Sequence, residues 1–248
     1  MTPPKIYRFT LQKQMEEADS NEDAFDISIK KDIVAIADGL TTSPASGIWS
    51  KIIVKNFTER PFNDDNPTKE FLIKWLEKAM VNFESTISSK VDDEFVVDMI
   101  KTKGAATTLL GCRIYPNLKS HDVKIWAIGD SNCFHIRKNN IISAFPISKL
   151  EGFSNKTYAL NSIVDRNNFN FKFTIWKIKS GDKMILSTDA FSKWFLWASL
   201  NGQKPAKKIK KKLSKNTERM NRFQNYVEKL RSKKKINDDD ITLIYLEF

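Results

Sequence analysis

The chain has 248 residues, 41 % of them hydrophobic and 11 % aromatic, which suffices to fill the core of one large domain, and we expect a single domain over residues 1–248. No apolar run approaches the roughly 20 residues of a membrane span, and the first residues, MTPPKIYRF, lack a secretory apolar stretch, so we expect a cytoplasmic protein that avoids membranes. Two cysteines without a CxxC pair argue against structural zinc. The net charge of +11 arises from residues 204–235, which hold 14 Lys and Arg against two Glu, while the rest of the chain is almost neutral.

The first predicted elements are strands. Lys5–Leu11 alternates weakly and predicts an edge strand. Two β-branched apolar runs, Ala24–Ile29 and Ile33–Ala37, flank the polar turn Lys30–Asp32 and predict a hairpin with a loop of two or three residues.

Counting outward from that turn places Asp23 opposite Asp38 at the open end of the hairpin. Carboxylates about 4 Å apart repel by roughly 4 kcal/mol at an effective dielectric near 20. The pair therefore predicts a bound cation.

Helices and further strands follow. Ser43-Pro44 predicts a helix start with Ser43 as the N-cap, and Thr68–Ser89 has the apolar spacing of a second helix. Residues 151–170 predict a loop, and 190–200 a helix rich in Phe and Trp. Strands are predicted at 104–114, 123–128, 133–137, 141–145 (after a turn at Asn139-Asn140), 171–178, 183–188 and 241–248.

The basic segment 204–235 predicts one or two helices. We expect its lysines to form a solvated helix face; contact with nucleic acid or another acidic surface is the alternative. A buried stripe is predicted for Ile209, Leu213, Met220, Phe223, Val227 and Leu230.

Five aspartates lie at strand ends with a consistent polarity. Asp23 and Asp239 precede strands, whereas Asp38, Asp130 and Asp189 follow them. Neighbouring antiparallel strands end and begin at the same edge, so all five carboxylates can converge there. Each one alone is equally an ordinary turn former. Together, without His or Cys, they favour hard cations such as Mg²⁺ or Mn²⁺, and two such ions are a known device for hydrolysing phosphoryl groups.

Six short motifs carry a family resemblance. They are NEDAF (21–25), ADG (37–39), GAATTL (104–109), GDSNCFHIR (129–137), MILSTDAF (184–191) and DDDITLIYL (238–246). Their order and spacing resemble the metal-dependent serine/threonine protein phosphatases of the type 2C family over nearly the whole chain. The resemblance implies an α+β fold, a four-layer α-β-β-α sandwich of two mostly antiparallel sheets flanked by helices.

The same resemblance implies an activity, the hydrolysis of phosphoserine and phosphothreonine in proteins. We expect the chain to be a monomer. A hydroxide bound to the metal would attack phosphorus directly, without a phosphoenzyme. Two Mg²⁺ or Mn²⁺ ions would be bound by Asp23, Asp38, Gly39 (through its carbonyl), Asp189 and Asp239, with Asp38 bridging both. The resemblance further implies that Glu22 holds water at the metal beside Asp38, that Asp130 binds a third ion, and that Thr107-Thr108 supports the site.

Departures from the family pattern concern the phosphate. Ala18 stands where the family usually has the arginine that grips the substrate phosphate, so the phosphate-binding residue is unknown, with Lys13 and Arg8 as candidates. Leu40 follows the Asp-Gly pair where some members have a proton-donating histidine, and water would have to replace it.

Two further positions differ after the ligands, where Ala190 replaces the usual Gly and Asp240 the usual Asn. The departures keep open an alternative function. The chain would then be a weakly active or inactive module that binds phosphoproteins or regulates a partner.

Overall fold

The computed structural model describes residues 2–17, 20–153, 157–167, 169–213 and 219–248. Its strands are β1 (Lys5–Leu11), β2 (Ala24–Ser28), β3 (Ile33–Ala37), β4 (Ala106–Thr107), β5 (Leu109–Pro116), β6 (His121–Ile128), β7 (Asn132–Arg137), β8 (Asn140–Phe145), β9 (Leu160–Asn161), β10 (Phe171–Ile178), β11 (Lys183–Ser187) and β12 (Ile241–Glu247). Its helices are α1 (Ser46–Glu59), α2 (Lys69–Lys90), α3 (Glu94–Lys103), α4 (Asp189–Leu200), α5 (Pro205–Leu213) and α6 (Arg219–Ser232).

Two five-stranded sheets form the centre of the molecule. One has the order β1-β12-β11-β7-β8 and the other β10-β6-β5-β3-β2, and every pairing in both is antiparallel. The short strands β4 and β9 pair separately. β1 pairs with β12 alone, as the predicted edge strand should.

Helices cover both outer faces. The inner core lies between the sheets, where Leu110 and Val34 share a cluster with Leu186 and Ile244. The second sheet buries its outer face against α1, α2 and α3, and the first against α4, α5 and α6. The predicted four-layer α-β-β-α sandwich is therefore confirmed.

The second helix forms as its sequence predicts, and so does the hairpin except for its loop, which has four residues, 29–32, and not two or three. In β2–β3 Ala24 pairs with Ala37, and the loop is one 3₁₀ turn closed by Asp32 in the left-handed region (φ 53°). Thr68 caps α2 by accepting a hydrogen bond from the Phe71 N–H at 3.2 Å.

Several local predictions are wrong. Helix α1 begins at Ser46 because the Ser43 hydroxyl bonds the Leu40 carbonyl and the Ala106 N–H and so fastens a loop. Helix α3 was not predicted, and the strand predicted over 104–114 is interrupted at Thr108. The turn before β8 is Lys138-Asn139, both with positive φ, and not Asn139-Asn140.

In the basic segment, Ile209, Phe223, Val227 and Leu230 are buried as predicted. The side chains of Leu213 and Met220 lie outside what the structure describes. Cys112 and Cys133 are buried free thiols. Within the described ranges, no helix combines the length and the apolar character that crossing a bilayer requires.

Candidate metal centre

The open end of the β2–β3 hairpin holds the first two carboxylates. The register Ala24↔Ala37 puts Asp23 and Asp38 on facing positions. Asp23 is buried, its N–H donates to Asn21 Oδ1 at 2.9 Å, and its Oδ2 accepts from the Thr188 hydroxyl at 2.9 Å. Its Oδ1 is buried without a hydrogen-bond partner. Asp23 therefore has one buried carboxylate oxygen that no protein donor uses.

The threonines of the GAATTL motif fix the backbone of Asp38. The Asp38 N–H donates to Thr108 Oγ1, and the Asp38 carbonyl accepts from the Thr107 hydroxyl and the Thr108 N–H, each at 2.9 Å. Gly39 forms a β-bridge with Thr107. The break in the predicted strand at Thr108 thus serves to hold Asp38, consistent with the supporting role expected for Thr107-Thr108.

All five strand-end aspartates converge on one mouth of the sandwich. Burial raises the pKa of Asp38 well above its ordinary value, and the charges of Asp23, Asp189, Asp130 and Asp239 raise it further. Burial and the nearby charges of Asp130 and Asp239 likewise raise the pKa of Asp189 to about 6. These mutual repulsions place the carboxylates within electrostatic range of one another, although they come from five separate parts of the sequence.

Glu22 lies beside this cluster and accepts hydrogen bonds from three side-chain donors. Its carboxylate accepts from the Ser46 hydroxyl, the Thr41 hydroxyl at 2.7 Å and Lys13 Nζ at 3.2 Å. Gly39 approaches it so closely that a Cβ there would lie 2.6 Å from the Glu22 carbonyl oxygen, so no larger residue fits. The sequence predicted Glu22, but not the hydroxyls of Thr41 and Ser46.

Among the described residues, Lys13 is a cation that reaches the mouth. Its Nζ lies 3.5 Å from Asp239 and 3.1 Å from the Thr41 hydroxyl, in addition to Glu22. Partial burial disfavours the ammonium, but the Glu22 hydrogen bond and the charges of Asp239 and Asp240 prevail and raise the pKa of Lys13 above its ordinary value.

Arg8, the other candidate for the phosphate-binding cation, contacts an aromatic ring. The Arg8 guanidinium lies over the Phe25 ring, 5.5 Å from its centroid. Ala18 falls outside the described residues.

Two residues that sequence reasoning missed hold the loops around the mouth. Asp240 accepts from the Glu22 N–H at 2.8 Å and the Lys13 N–H at 3.0 Å. Arg231, from the basic segment, donates to the carbonyls of Gln12 and Asp239. The departure from Asn at position 240 could have drawn attention to Asp240, whereas no local pattern marks Arg231 among its basic neighbours.

Asp130 is tethered by the Thr157 hydroxyl, which donates to its Oδ2 at 2.6 Å. In the described part of the chain, no three His, Cys, Asp or Glu side chains are arranged to hold one ion as they stand. The donor set nevertheless fits hard divalent cations, because it consists of crowded carboxylates and includes the unpartnered buried Oδ1 of Asp23.

The sequence profile of the family Protein phosphatase 2C matches residues 13–236. The chain belongs to this family. As a member of the protein phosphatase 2C family, it is a protein serine/threonine phosphatase. No protein of curated function matches it by sequence.

Solved structures share the fold of this phosphatase 2C chain over its full length. The serine/threonine phosphatase PstP/Ppp of Mycobacterium tuberculosis is 16 % identical with a TM-score of 0.61, covering 100 % of this chain and 99 % of that one. Stp1 of Staphylococcus aureus is 15 % identical with a TM-score of 0.61, covering 100 % and 96 %. The catalytic domain of PstP in complex with two manganese ions is 14 % identical with a TM-score of 0.60, covering 99 % and 98 %.

Proposed function

We propose that this phosphatase hydrolyses phosphoserine and phosphothreonine in proteins with two Mg²⁺ or Mn²⁺ ions bound at the mouth of the sandwich. Asp23, Asp38, Asp189, Asp239 and the Gly39 carbonyl would bind them. The observation that carries the proposal is the placement of Asp23 and Asp38 on facing positions at the open end of the hairpin, with the Asp23 Oδ1 buried and unpartnered. The charges of the other strand-end aspartates also reach Asp38 and raise its pKa. When bound, the ions supply an activated water and positive charge for the phosphoryl oxygens. The two manganese ions of PstP support this choice.

The chain's own residues have separate tasks in this proposal. The backbone of Asp38 is held at the centre by Thr107 and Thr108, which fixes the point from which its carboxylate projects. Glu22, fixed by three donors, holds the attacking water for direct attack on phosphorus, without a phosphoenzyme.

The phosphate side of the site is assigned to Lys13. It is the cation placed among Glu22, Asp239 and Thr41, and its ammonium can meet the phosphate oxygens as a point charge. Leu40 has no proton to give, so solvent protonates the leaving alkoxide. Asp130, tethered by Thr157, is the proposed ligand of a third ion.

The test is metal-dependent turnover. Purified protein is assayed on a phosphothreonine peptide and on para-nitrophenyl phosphate with Mn²⁺, with Mg²⁺ and with a chelator. We expect turnover only with metal, and a loss of at least about 100-fold in Asp239→Asn but none in the exposed control Asp92→Asn. If neither Mn²⁺ nor Mg²⁺ supports turnover, the proposal is overturned. Tight binding of the phosphopeptide without hydrolysis would then support the alternative of a regulatory phosphoprotein-binding module.

A further inference from the structure

A cavity of about 340 Å³ lies between α4 and the loop that leads from α6 into β12. Its apolar lining includes Leu150, Trp194, Trp197 and Ile236. Trp197 is 38 % exposed, unusual for so large an apolar side chain. The volume falls within the range of ligand sites, toward its lower end. The cavity can therefore accept a side chain or a short peptide segment.

Each of the two walls of the cavity contains a residue that is close in sequence to a proposed metal ligand. Ala190, which lines it, directly follows Asp189, and Asn237, which also lines it, is two residues before Asp239. A peptide whose phosphorylated residue is at the carboxylate mouth therefore has the cavity beside it.

Three lysines surround the same cavity. Lys193 projects from α4, and Lys234 and Lys235 follow α6. All three are exposed, and none forms an ion pair or side-chain hydrogen bond with another residue that the structure describes. Lys210, by contrast, is paired with Glu247 at 2.7 Å. The unpaired charges of the cavity are available to an acidic ligand.

The indole N–H of Trp194 adds a polar feature. Trp194 is 3 % exposed and lines the cavity, and its Nε1 is buried without an acceptor. Buried indole N–H groups usually find a partner. Because this N–H is fully buried, an occupant of the cavity does not reach it as the side chains stand, and polar recognition there depends on the three lysines.

We propose that this cavity is a docking site for the part of the phosphoprotein substrate that flanks the phosphorylated residue. It selects a large apolar side chain next to acidic residues, the apolar group contacting Trp197 and Ile236 and the acids contacting Lys193, Lys234 and Lys235. This inference rests on the proposed function, since it names a substrate feature that the same phosphatase site recognises. An open cavity with an apolar lining suits a peptide better than a nucleic-acid backbone, which needs a continuous positive track.

The experiment compares two phosphothreonine peptides of equal length, one with Phe and Asp residues beside the phosphothreonine and one with Ala and Ser there. The variants are Trp197→Ala and the triple change K193Q/K234Q/K235Q. The matched control is K51Q/K78Q/K119Q, three exposed lysines on α1, α2 and the β5–β6 turn. All proteins are assayed at saturating Mn²⁺, with para-nitrophenyl phosphate as a substrate too small to reach the cavity.

We expect the ratio of kcat/KM on the Phe/Asp peptide to that on para-nitrophenyl phosphate to fall about tenfold in both cavity variants, mainly through KM, and to stay unchanged in the control. On the Ala/Ser peptide, the same ratio should differ little between wild type and the two cavity variants. Equal ratios in wild type and both variants would overturn the docking site. Unfolding temperatures confirm that the variants are folded.

Failure of the proposed function is distinguishable. If the wild type hydrolyses no phosphate ester, equilibrium binding of the fluorescently labelled Phe/Asp phosphopeptide still tests the cavity: weaker binding by the variants supports docking, and equal binding overturns it. Binding of single-stranded RNA that depends on the three lysines, without any effect on the peptide, would overturn the proposal in favour of a nucleic-acid site.

Discussion

Asp38 and Thr108 exchange two hydrogen bonds: the Asp38 N–H donates to Thr108 Oγ1, and the Thr108 N–H donates to the Asp38 carbonyl, both at 2.9 Å. The Thr108 hydroxyl also lies 2.9 Å from Ser131 Oγ, next to Asp130. One threonine thus positions the central carboxylate of the mouth and connects it to a second strand end.

Thr108→Val tests this positioning role. Valine keeps the shape of threonine but leaves the Asp38 N–H without its acceptor, at a cost of about 1–2 kcal/mol in stability. We expect Mn²⁺ affinity to fall about 10–100-fold, as when a residue that orients a metal ligand is removed. Titration calorimetry with Mn²⁺ measures this, with Thr86→Val on the α2 surface as the control. Unchanged affinity would show that Thr108 does not position Asp38.

Asp38→Asn separates electrostatic repulsion from metal binding. In the metal-free protein, removing a buried carboxylate that four others repel should raise the unfolding temperature. Wild type should gain about 2.7 kcal/mol at a Mn²⁺ concentration 100 times its Kd, and the variant almost nothing. Thermal unfolding with a chelator and with Mn²⁺ measures both effects. Equal stabilisation of the two proteins by Mn²⁺ would contradict the ligand assignment.

Lys13→Met removes the ammonium while keeping most of the side-chain length. Because this charge is assigned to the phosphate, we expect kcat/KM on para-nitrophenyl phosphate to fall at least about tenfold, and Lys13→Arg to retain a larger part of it. Steady-state kinetics at saturating Mn²⁺ give the values, with Lys51→Met as the control. Wild-type kcat/KM in Lys13→Met would remove Lys13 from the phosphate site.

Asp182 lies at the opposite end of β11 from the mouth and provides a pH-dependent prediction. Burial disfavours its charge, but hydrogen bonds from Arg137, the Lys179 N–H and His135 outweigh burial and hold the pKa of Asp182 well below its ordinary 3.8. A carboxylate with a lowered folded-state pKa stabilises fully above its unfolded pKa. That stabilisation is lost as the pH falls below about 4 toward the folded-state pKa.

Asp182→Asn should therefore destabilise the fold at pH 7 by about 3 kcal/mol, since the Arg137 guanidinium loses its buried charged partner. The difference from wild type should shrink as the pH falls below 4. Denaturant unfolding at pH 7, 4 and 3 measures it, and Asp65→Asn, whose partner Lys124 is on the surface, is the comparison. If the difference in unfolding free energy between wild type and Asp182→Asn does not change with pH, the charge of Asp182 is not what stabilises the fold.

Local patterns sufficed for several elements. The β2–β3 register, which pairs Ala24 with Ala37, follows from counting outward from the polar turn between the two apolar runs. The helical spacing of apolar residues over Thr68–Ser89 predicted α2 to within one residue at each end. The start of α1 could not be predicted, because the Ser43 hydroxyl is used by Ala106, 63 residues away. Helix α3 has a single buried residue, Ile100, so its apolar periodicity is too weak to be recognised.

By itself, the sequence determined that five aspartates end or begin strands on one side of an antiparallel fold, because strand polarity fixes which ends share an edge. Only the tertiary structure decided what surrounds them. Lys13 points at Glu22 and Asp239, Asp240 joins two loops, and Arg231 of the basic segment bonds the Asp239 carbonyl. Some of these contacts join residues more than 200 positions apart, so no local spacing encodes them. They depend on how the two sheets and their loops pack.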